Sequence, residues 1–347
     1  MIKFDLPSTR FLGSKAKLLP WLYQNLIGLN FNTALDVFGG TGSVSYMFKT
    51  LGKEVYFNDV LDFNQNIGTA IIENRRTIVT REDINKVLKP RTKGNKKIIQ
   101  TTFKDIYFKD SENTWLDQVT QNIHDFDNKY KRAIMLSALY QACLIKRPFN
   151  LFHRKNLYIR TKNVERSFGN KTTWEKPFRN YFLRFLKEYN KLVFDNTKEN
   201  KVIGGYDASS IPKRDYDLVY LDPPYLSKKS SVNYLDCYHF LEGLSTYDTW
   251  ERKINMESNN KKMIVSDAIE NFLDSEKVYY LFKGLFKKFK NSSIVMSYRN
   301  DGIPSIKQIK DALKDVTGDD PIIKTLNYKY ALSNGSTKEV LFILEQN

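Results

Sequence analysis

The chain is poor in the residues that build disulfide frameworks and metal centres. Its 347 residues include two cysteines, Cys143 and Cys237, and three histidines, which stand at His124, His153 and His239. Two cysteines do not make a disulfide framework, and these five residues form no cluster with the ligand spacing of a zinc site. We therefore expect reduced cysteines, a cytoplasmic location and no metal cofactor.

Long apolar runs are also missing. No stretch approaches the roughly 18 uncharged apolar residues of a membrane helix, and residues 1–5 lack the apolar run of a signal peptide. The hydrophobic share of 41% and the aromatic share of 14% nevertheless favour a folded globular protein over a disordered one. The length is sufficient for one large domain or two modest ones.

Acidic residues are scarce in one part of the chain. Lys and Arg number 55 against 39 Asp and Glu, which gives a net charge of +16. Residues 76–201 contain 28 of the basic and 13 of the acidic residues, a net charge of +15, and the rest of the chain carries +1. A lysine-rich solvated surface would give the same counts, but so one-sided a distribution favours a face that binds a polyanion.

The apolar pattern on both sides of this basic segment predicts a doubly wound α/β domain. A short strand at 34–38 leads into a glycine loop, then into apolar residues at helical spacing, and then into a strand at 54–57. The remaining predictions are strands at 217–221, 262–265 and 293–296, a helix at about 272–290, and a closing hairpin of Leu326–Leu332 and Val340–Leu344 around Asn334-Gly335. The basic segment breaks this pattern, so we predict that residues 76–201 form an inserted, mainly helical domain within a catalytic domain of residues 1–75 and 202–347.

An acid, two prolines and an aromatic residue follow the predicted strand at 217–221, in the order Asp222-Pro223-Pro224-Tyr225. The prolines end the strand and leave its last carbonyl groups without ladder partners. The carboxylate adds further acceptors, and the tyrosine adds a flat face. Together they predict a pocket for a planar group that carries an NH2, as an enzyme acting on the amino group of a nucleobase requires.

A second motif follows the first strand, in the run Asp36-Val37-Phe38-Gly39-Gly40-Thr41-Gly42. Glycines let a backbone approach a ligand closely, and the following helix N-terminus favours polar or anionic groups. Asp59 stands 17 residues after Gly42, at the end of the next strand, where a carboxylate can accept both hydroxyls of a ribose. A helix N-cap is the alternative role for Asp59. The loop lacks the G-x-x-x-x-G-K-[ST] pattern of nucleoside triphosphatases.

These segments resemble the motifs of DNA methyltransferases. Phe38–Gly42 is similar to motif I of the S-adenosylmethionine-dependent enzymes, and Asp222–Tyr225 is similar to motif IV of the amino-group enzymes. Arg10–Lys15 resembles motif X, and Asn300–Gly302 resembles a late motif. Motif X comes first, and a long insert separates motif I from motif IV. This order resembles that of the α-group, Dam-like N6-adenine DNA methyltransferases of the D12 class.

The resemblance implies a Rossmann-like methyltransferase domain, S-adenosylmethionine as cofactor and double-stranded DNA as substrate. It implies that Asp222, Pro223, Pro224 and Tyr225 hold the target base and carry the catalysis. The residues that it places at the cofactor are Phe11, Lys15, Asp36, Phe38, Gly40, Gly42, Asp59, Asp207 and Asp222. Within this set Asp59 would bind the ribose. Asp207 would lie near the cofactor adenine, although a turn in a glycine-rich loop explains it equally well.

The mechanism that this implies needs neither a metal nor a covalent intermediate. The Asp222 carboxylate and the Pro223 carbonyl would each accept one N6 hydrogen and so localise the nitrogen lone pair. The base would be flipped out of the duplex and stacked on Tyr225. Tyr238 or Tyr298 would form the opposite wall, unless both are ordinary core tyrosines.

Within the basic segment, residues 146–160 interleave cations, amides and aromatics. Arginine and asparagine are common partners of guanine and adenine, and lysine is a common partner of phosphate. We predict DNA contacts from Arg147, Asn150, Arg154 and Lys155. The alternative is that the apolar residues of this stretch are core and its cations are ordinary surface.

The sequence thus predicts a site-specific adenine-N6 DNA methyltransferase, either the modification half of a restriction system with a cognate endonuclease or a solitary methylase. A cytosine-N4 enzyme shares motif IV, more often with serine in place of the aspartate. An inactive DNA-binding protein on the same scaffold is a third possibility, against which the intact motifs count. The Lys-, Asn- and Ile-rich composition suggests an AT-rich bacterial or phage genome, and we expect the protein to act at the nucleoid.

Overall fold

The structure is a computed structural model that describes residues 4, 6–7, 11–92, 94–162, 170–227, 230–231, 233–264, 267–328 and 337–346. Arg10 of the motif X resemblance and the predicted turn at Asn334-Gly335 lie outside these ranges, as do Val265 and residues 329–332 of two predicted strands. Among the helices within the ranges, none has both the length and the apolar character needed to span a membrane.

Seven of the described strands form one sheet, and two short strands pair separately. The strands are β1 Thr33–Asp36, β2 Glu54–Phe57, β3 Lys201–Val202, β4 Leu218–Leu221, β5 Leu226–Ser227, β6 Ser230–Ser231, β7 Ser293–Arg299, β8 Ile322–Asn327 and β9 Lys338–Leu344. The sheet order is β3-β2-β1-β4-β7-β9-β8, and β5 pairs with β6. The first five strands in this order are parallel, whereas β9 is antiparallel to both of its neighbours.

Fourteen described α-helices surround the sheet. They are α1 Leu19–Leu26, α2 Ser43–Thr50, α3 Asp62–Gly68, α4 Arg81–Val87, α5 Ile98–Thr102, α6 Asp110–His124, α7 Lys129–Ile145, α8 Tyr158–Thr161, α9 Asn170–Glu175, α10 Phe178–Leu192, α11 Tyr234–Ser245, α12 Asp267–Glu270, α13 Val278–Lys288 and α14 Ile306–Thr317. A π-helix, Thr69–Glu73, continues α3, and 3-10 turns occur at Lys15–Lys17, Pro148–Asn150, Ala208–Ser210, Tyr247–Lys253 and Asn271–Leu273. The prediction of a mixed α/β fold is confirmed.

Two hydrophobic cores cover the two faces of the sheet. Along β4, Leu218 and Tyr220 point into one core and Val219 and Leu221 into the other, as the alternation of a strand requires. Helices α13 and α14 cover the second face. The first face is covered by α1, α2, α3 and α11 together with α6, α7 and α10 of the basic segment. Because α7 packs directly against α3 and the π-helix, the basic segment shares a core with the sheet.

One of the predicted elements is wrong, and another begins later than predicted. The segment predicted as a strand at 262–265 does not join the sheet. It folds back locally, and Met263 forms a single bridge with Ile254. Ile264 is 65% exposed. The helix predicted at about 272–290 begins only at Val278. The Asp274 carboxylate accepts the backbone N–H of Glu276 at 2.9 Å, in the segment between a separate 3-10 turn, Asn271–Leu273, and the first residue of the helix.

The sheet order places a cleft beside β1. The chain passes from β1 to β2 and β3 on one side, and β4 and β7 lie on the other. In an open parallel sheet, ligands bind beyond the carboxyl ends of the strands at this point of reversal. Asp36 ends β1, Asp59 follows β2 by two residues, and Asp222 directly follows β4. The two motifs of the sequence therefore meet at one edge.

Candidate active site

The glycine loop is held against the end of β2 by close backbone packing. The N–H of Gly39 donates to the carbonyl of Asn58 at 2.8 Å. A Cβ at position 39 would lie 2.1 Å from the Phe57 ring, so only glycine fits there. Gly42, with φ +71, turns the chain into the first residue of α2. The loop thereby presents its backbone to the cleft.

Gly39→Ala is expected to deform this loop. The added methyl must displace the Phe57 ring, and overpacking of this kind typically costs about 1–3 kcal/mol. We expect a lower unfolding free energy in urea and weaker S-adenosylmethionine binding by calorimetry. Gly284→Ala is the matched control, because nothing lies within 4 Å of a Cβ at that position in α13. Unchanged stability and binding in Gly39→Ala would contradict this account of the loop.

Asp59 ties the loop to the start of α3. Its Oδ2 accepts the N–H of Gly40 and its Oδ1 accepts the N–H of Leu61, each at 2.9 Å. Burial raises the pKa of Asp59, and these hydrogen bonds oppose the rise. The bond directly before α3 resembles the capping role considered above. The Asn64 side chain also hydrogen-bonds the Asp59 carboxylate. A carboxylate can accept about four hydrogen bonds, so Asp59, which lines the cleft, can still accept one from a ligand.

Asp36 places an unsatisfied carboxylate oxygen in the cleft. Its Oδ2 accepts the Ser45 hydroxyl at 2.6 Å, and its Oδ1 is buried with no hydrogen bond from the described residues. Burial raises the pKa of Asp36 to about 7, with the charge of Asp222 adding to the rise. A buried acceptor without a hydrogen bond needs a donor to offset its desolvation. A ligand in the cleft can supply that donor.

Asp222, Lys15 and Tyr225 form a hydrogen-bonded group at the end of β4, in which Lys15 and Tyr225 are buried and Asp222 is half-buried. The Lys15 Nζ donates to Asp222 Oδ1 at 2.7 Å and to the Tyr225 hydroxyl at 2.6 Å. The Tyr225 hydroxyl donates to the same Asp222 Oδ1 at 2.5 Å. Burial opposes the charge of Lys15, but the carboxylates around it hold its pKa above the ordinary value. The strand end and the 3-10 turn at Lys15–Lys17, 207 residues apart in sequence, thus fix one side of the cleft together.

A second carboxylate reaches the same ammonium from β9. Glu339 Oε1 lies 3.7 Å from Lys15 Nζ, and the Glu339 side chain is fully buried. Burial raises the pKa of Glu339 to about 7; Lys15 opposes this rise and Asp222 adds to it. Sequence analysis missed Glu339. The available signal was an acid at the start of an otherwise apolar run, Val340–Leu344.

Aromatic side chains line much of the remaining cleft. Phe11 stacks on Phe63 with 6.4 Å between ring centroids and tilts against Tyr238 at 5.6 Å. Phe38 meets the edge of Phe272 at 5.3 Å. These apolar walls surround the polar groups of the glycine loop.

The two tyrosines considered for the opposite wall differ in position. Tyr238 lines the cleft, with its hydroxyl accepting the N–H of Leu12 at 2.6 Å. Tyr298 is fully buried, donates to the Pro304 carbonyl at 3.0 Å and packs edge-on against Tyr225 at 5.9 Å. Tyr298 therefore supports the Tyr225 ring and is not part of the described lining.

Comparison with known proteins identifies the family of the protein that carries this cleft. Residues 11–297 match the family described as D12 class N6 adenine-specific DNA methyltransferase. The chain belongs to this family. The family and reaction class predicted from the motifs are thereby confirmed.

Named methyltransferases align with this D12 methyltransferase over most of its length. It is 25% identical to the Type II methyltransferase M2.HphI of Haemophilus parahaemolyticus, over 98% of both chains. It is 24% identical to the Type II methyltransferase M.NlaIII of Neisseria lactamica, over 87% of this chain and 86% of that one. It is also 24% identical to the modification methylase StsI of Streptococcus sanguinis, over 96% of this chain and 51% of that one.

Polar side chains that sequence analysis missed hold the cleft of this D12 methyltransferase in shape. The buried Asn58 amide donates to the carbonyls of Val37 and Tyr206 at 3.0 and 3.1 Å and so joins two loops. Glu242 of α11 accepts the first two N–H groups of α3, each at 3.0 Å. Burial raises the pKa of Glu242 to about 8. Such long-range caps leave no local pattern in a sequence.

Asp207 is among the residues that line the cleft. Its Oδ1 accepts the N–H of Ser209 at 2.7 Å and the Ser209 hydroxyl at 2.9 Å, and so caps the 3-10 turn Ala208–Ser210. The turn role considered for Asp207 is therefore present. Its predicted contact with the cofactor adenine remains a prediction.

Arg147, predicted to contact DNA, lies inside the protein in this structure. Its side chain is 1% exposed. The guanidinium donates to the Asn156 side chain and to the backbone carbonyls of Tyr107, Leu151 and Arg154. A guanidinium satisfied by the carbonyls of its own loop is not available to a DNA base or phosphate. Arg147 therefore shapes the loop at 147–156.

The other three predicted DNA contacts reach the surface. Arg154 and Lys155 are exposed and Asn150 is half-buried. Phe149, with φ +61, is 67% exposed, whereas Phe152 is fully buried. The stretch thus combines core residues with an exposed basic face, and the two interpretations offered for it are compatible.

Both cysteines and one histidine, His239, are buried in the described fold. Cys143 and Cys237 are buried and free. The Nε2 of His239 lies 2.8 Å from the Tyr107 hydroxyl, and burial lowers the pKa of His239 to about 3, so it is neutral. Within the described residues, no three His, Cys, Asp or Glu side chains gather as they would around a metal ion.

Proposed function

We propose that this enzyme transfers a methyl group from S-adenosylmethionine to N6 of an adenine that is flipped out of double-stranded DNA. Methyltransferases of the family generally depend on this cofactor. The observation that carries the proposal is the hydrogen-bonded group of Lys15, Asp222 and Tyr225, since Lys15 and Asp222 line the same cleft as the glycine loop.

The residues of the cleft fit the cofactor in their chemistry. The unsatisfied Oδ1 of Asp36 suits the ammonium of the methionine end, next to Gly40, which lines the cleft, with Gly42 in the same loop. Asp59 would accept the ribose hydroxyls, and Asp207 would lie near the adenine. Phe11, Lys15, Phe38 and Asp222 complete the proposed cofactor set. When bound, S-adenosylmethionine supplies a methyl group on a positively charged sulfur, which keeps the bonding electron pair when the methyl leaves.

The chain's own groups would make the adenine nitrogen reactive. The Asp222 carboxylate and the Pro223 carbonyl each accept one N6 hydrogen, which draws the lone pair out of the ring. N6 then forms its bond to carbon and sheds one proton. Lys15 and Tyr225 hold Asp222 through Oδ1, so the carboxylate need not reorganise during the reaction. Positioning and fixed charges in a site shielded from water account for most of the rate.

A flipped adenine needs an aromatic partner to offset its lost stacking. Base–aromatic stacking is worth on the order of 1–3 kcal/mol. Tyr225 was predicted for this role, and its ring is mostly buried between Lys15 and Tyr298. Tyr225 is not among the described residues that line the cleft, whereas Tyr238 offers a ring there. We propose that these tyrosines and Pro224 enclose the base.

We propose that residues 76–201, with a net charge of +15, form the DNA-recognition region, and that residues 1–75 and 202–347 form the catalytic domain. Asn150, Arg154 and Lys155 are its proposed contacts. Phe152 donates its backbone N–H to the carbonyl of Cys237 at 2.9 Å. Cys237 lies in α11, next to Tyr238 of the cleft, so this basic loop is attached to the helix that lines the active site.

Arg154→Ala/Lys155→Ala is expected to weaken DNA binding and flatten its salt dependence. Each lost phosphate contact reduces the slope of log K against log salt by about 0.9, so a difference of about 1.8 is expected for two contacts. Fluorescence anisotropy with a labelled duplex at several salt concentrations measures the slope. S-adenosylmethionine binding should be unchanged.

The matched control for this pair is Lys287→Ala/Lys307→Ala. Both lysines are exposed, and they lie on α13 and α14, which cover the opposite face of the sheet. This variant should keep the wild-type slope. Equal slopes for the two double variants would remove Arg154 and Lys155 from the DNA interface.

The proposed reaction is tested by incubating purified enzyme with S-adenosylmethionine and duplex DNA, and then analysing the digested nucleosides by mass spectrometry. N6-methyladenine supports the proposal. N4-methylcytosine would overturn the assignment of the base, and cofactor binding without DNA methylation would point to another acceptor such as RNA. The names of the aligned enzymes support a place in a restriction-modification system, in which a cognate endonuclease would cut the unmethylated site.

A further inference from the structure

Glu339 has no role in the reaction described so far, yet it faces the ammonium that holds the catalytic carboxylate. It is fully buried on β9, the antiparallel strand that forms a hairpin with β8. Its Oε1 is 3.7 Å from Lys15 Nζ, and Asp222 Oδ1 is 2.7 Å from the same atom. Burying a carboxylate costs free energy unless the carboxylate is paired. The position of Glu339 beside Lys15 therefore indicates a role in this group.

We propose that Glu339 is a positioning residue for methyl transfer, which keeps Lys15 charged and in place and adds a second negative charge to the group that holds Asp222. This inference rests on the proposed function of the site. It extends the group of Lys15, Asp222 and Tyr225 to a fourth member.

The charges around Lys15 support this role. When Asp222 and Glu339 are both ionised, the group with Lys15 carries one net negative charge. When Glu339 is protonated, the group is neutral. N6 gains positive charge as it is alkylated, and at short range in a shielded site a net negative charge stabilises that change.

Glu339 also changes its charge within the ordinary working range. Burial raises the pKa of Glu339 to about 7, so the methylation rate should rise with pH through about 7. The other groups that face it are Lys15, Asp222 and Tyr225, together with Tyr220 of β4, Ser297 of β7 and Arg299, its partner in register. Asp36 also has a raised pKa of about 7, so the wild-type profile alone does not isolate Glu339.

The test compares Glu339→Gln and Glu339→Asp with wild type in single-turnover methylation across this pH range. We expect Glu339→Gln to lower the rate above neutral pH roughly ten- to a hundredfold and to flatten the rise through about pH 7. Glu339→Asp should restore part of the rate and part of its rise with pH. Glu345→Gln is the control, since it makes the same change at an exposed position just beyond β9 and should match wild type.

A second readout uses the protein without cofactor or DNA. A folded-state pKa above the unfolded value means that Glu339 contributes stability at low pH, which is lost as the pH rises through about 7. The unfolding free energy of wild type minus that of Glu339→Gln should therefore fall as the pH rises from about 5 to about 8. Glu345→Gln should show no such trend.

Wild-type rates with an unchanged pH profile in Glu339→Gln would overturn the inference. So would a uniform loss of rate that leaves the profile unchanged and that Glu339→Asp does not relieve, because that pattern belongs to a merely structural residue. If the wild-type enzyme itself methylates no DNA, the proposed function fails, and the unfolding measurement still decides whether Glu339 titrates against Lys15.

Discussion

Asp222→Asn is expected to reduce the single-turnover rate of adenine methylation by about 100- to 1000-fold, the loss typical when one fixed polar group of a catalytic site is removed. The introduced amide would keep the shape of the side chain but not its charge. Lys15 and Tyr225 both donate to Asp222 Oδ1, so the carboxylate is held in one orientation. Without the charge, N6 loses its strongest acceptor.

Asp217→Asn is the matched control for this change. Asp217 directly precedes β4, whereas Asp222 directly follows it, and its carboxylate accepts the N–H groups of Asn32 and Thr33 at 2.8 and 2.9 Å. The substitution Asp217→Asn makes the same chemical change as Asp222→Asn, but away from the cleft. S-adenosylmethionine binding should be wild-type in Asp217→Asn, and the rates are compared at saturating S-adenosylmethionine, because Asp222 belongs to the proposed cofactor set. A rate for Asp222→Asn within a few-fold of that for Asp217→Asn would remove Asp222 from the chemistry.

Lys15→Met is expected to produce the largest loss of stability. It removes the ammonium between the fully buried Glu339 and the half-buried Asp222, and breaking a buried pair in this way costs about 3–5 kcal/mol. Urea unfolding measures the loss. The loss should be smaller at about pH 5 than at about pH 8, because Glu339, whose pKa is raised by burial to about 7, is neutral when protonated and then needs no partner.

The double variant Lys15→Met/Glu339→Gln tests the cause of this loss. It removes one of the two carboxylates left without a cation, so it should unfold at higher urea concentration than Lys15→Met alone. A fully additive result, in which Glu339→Gln adds its own separate cost, would show that the two side chains do not interact.

The local parts of the site could be predicted from the sequence because neighbours in the chain form them. The glycine loop after β1 and the Asp222–Tyr225 run after β4 are each set by a strand that ends and a turn that follows. Their meeting at one edge follows from the order of parallel strands. Asp36, Asp59 and Asp222 could therefore be named in advance.

The missed parts depend on contacts between distant segments. Glu339 reaches Lys15 only because β9 inserts beside β7, and Glu242 caps α3 from another helix. Arg147 stands in a basic stretch. Only the packing of its loop shows that its guanidinium donates hydrogen bonds to backbone carbonyls inside the protein. Amino-acid composition alone does not distinguish a cation that binds DNA from a cation that shapes the neighbouring loop.

The most direct test of the central claim is to express wild-type and Asp222→Ala enzymes in a methylation-deficient bacterium and to sequence the native DNA for modified bases. We expect N6-methyladenine at one short sequence motif with the wild-type enzyme and none with Asp222→Ala. The same modification in both strains, or N4-methylcytosine in place of N6-methyladenine, would contradict the central claim.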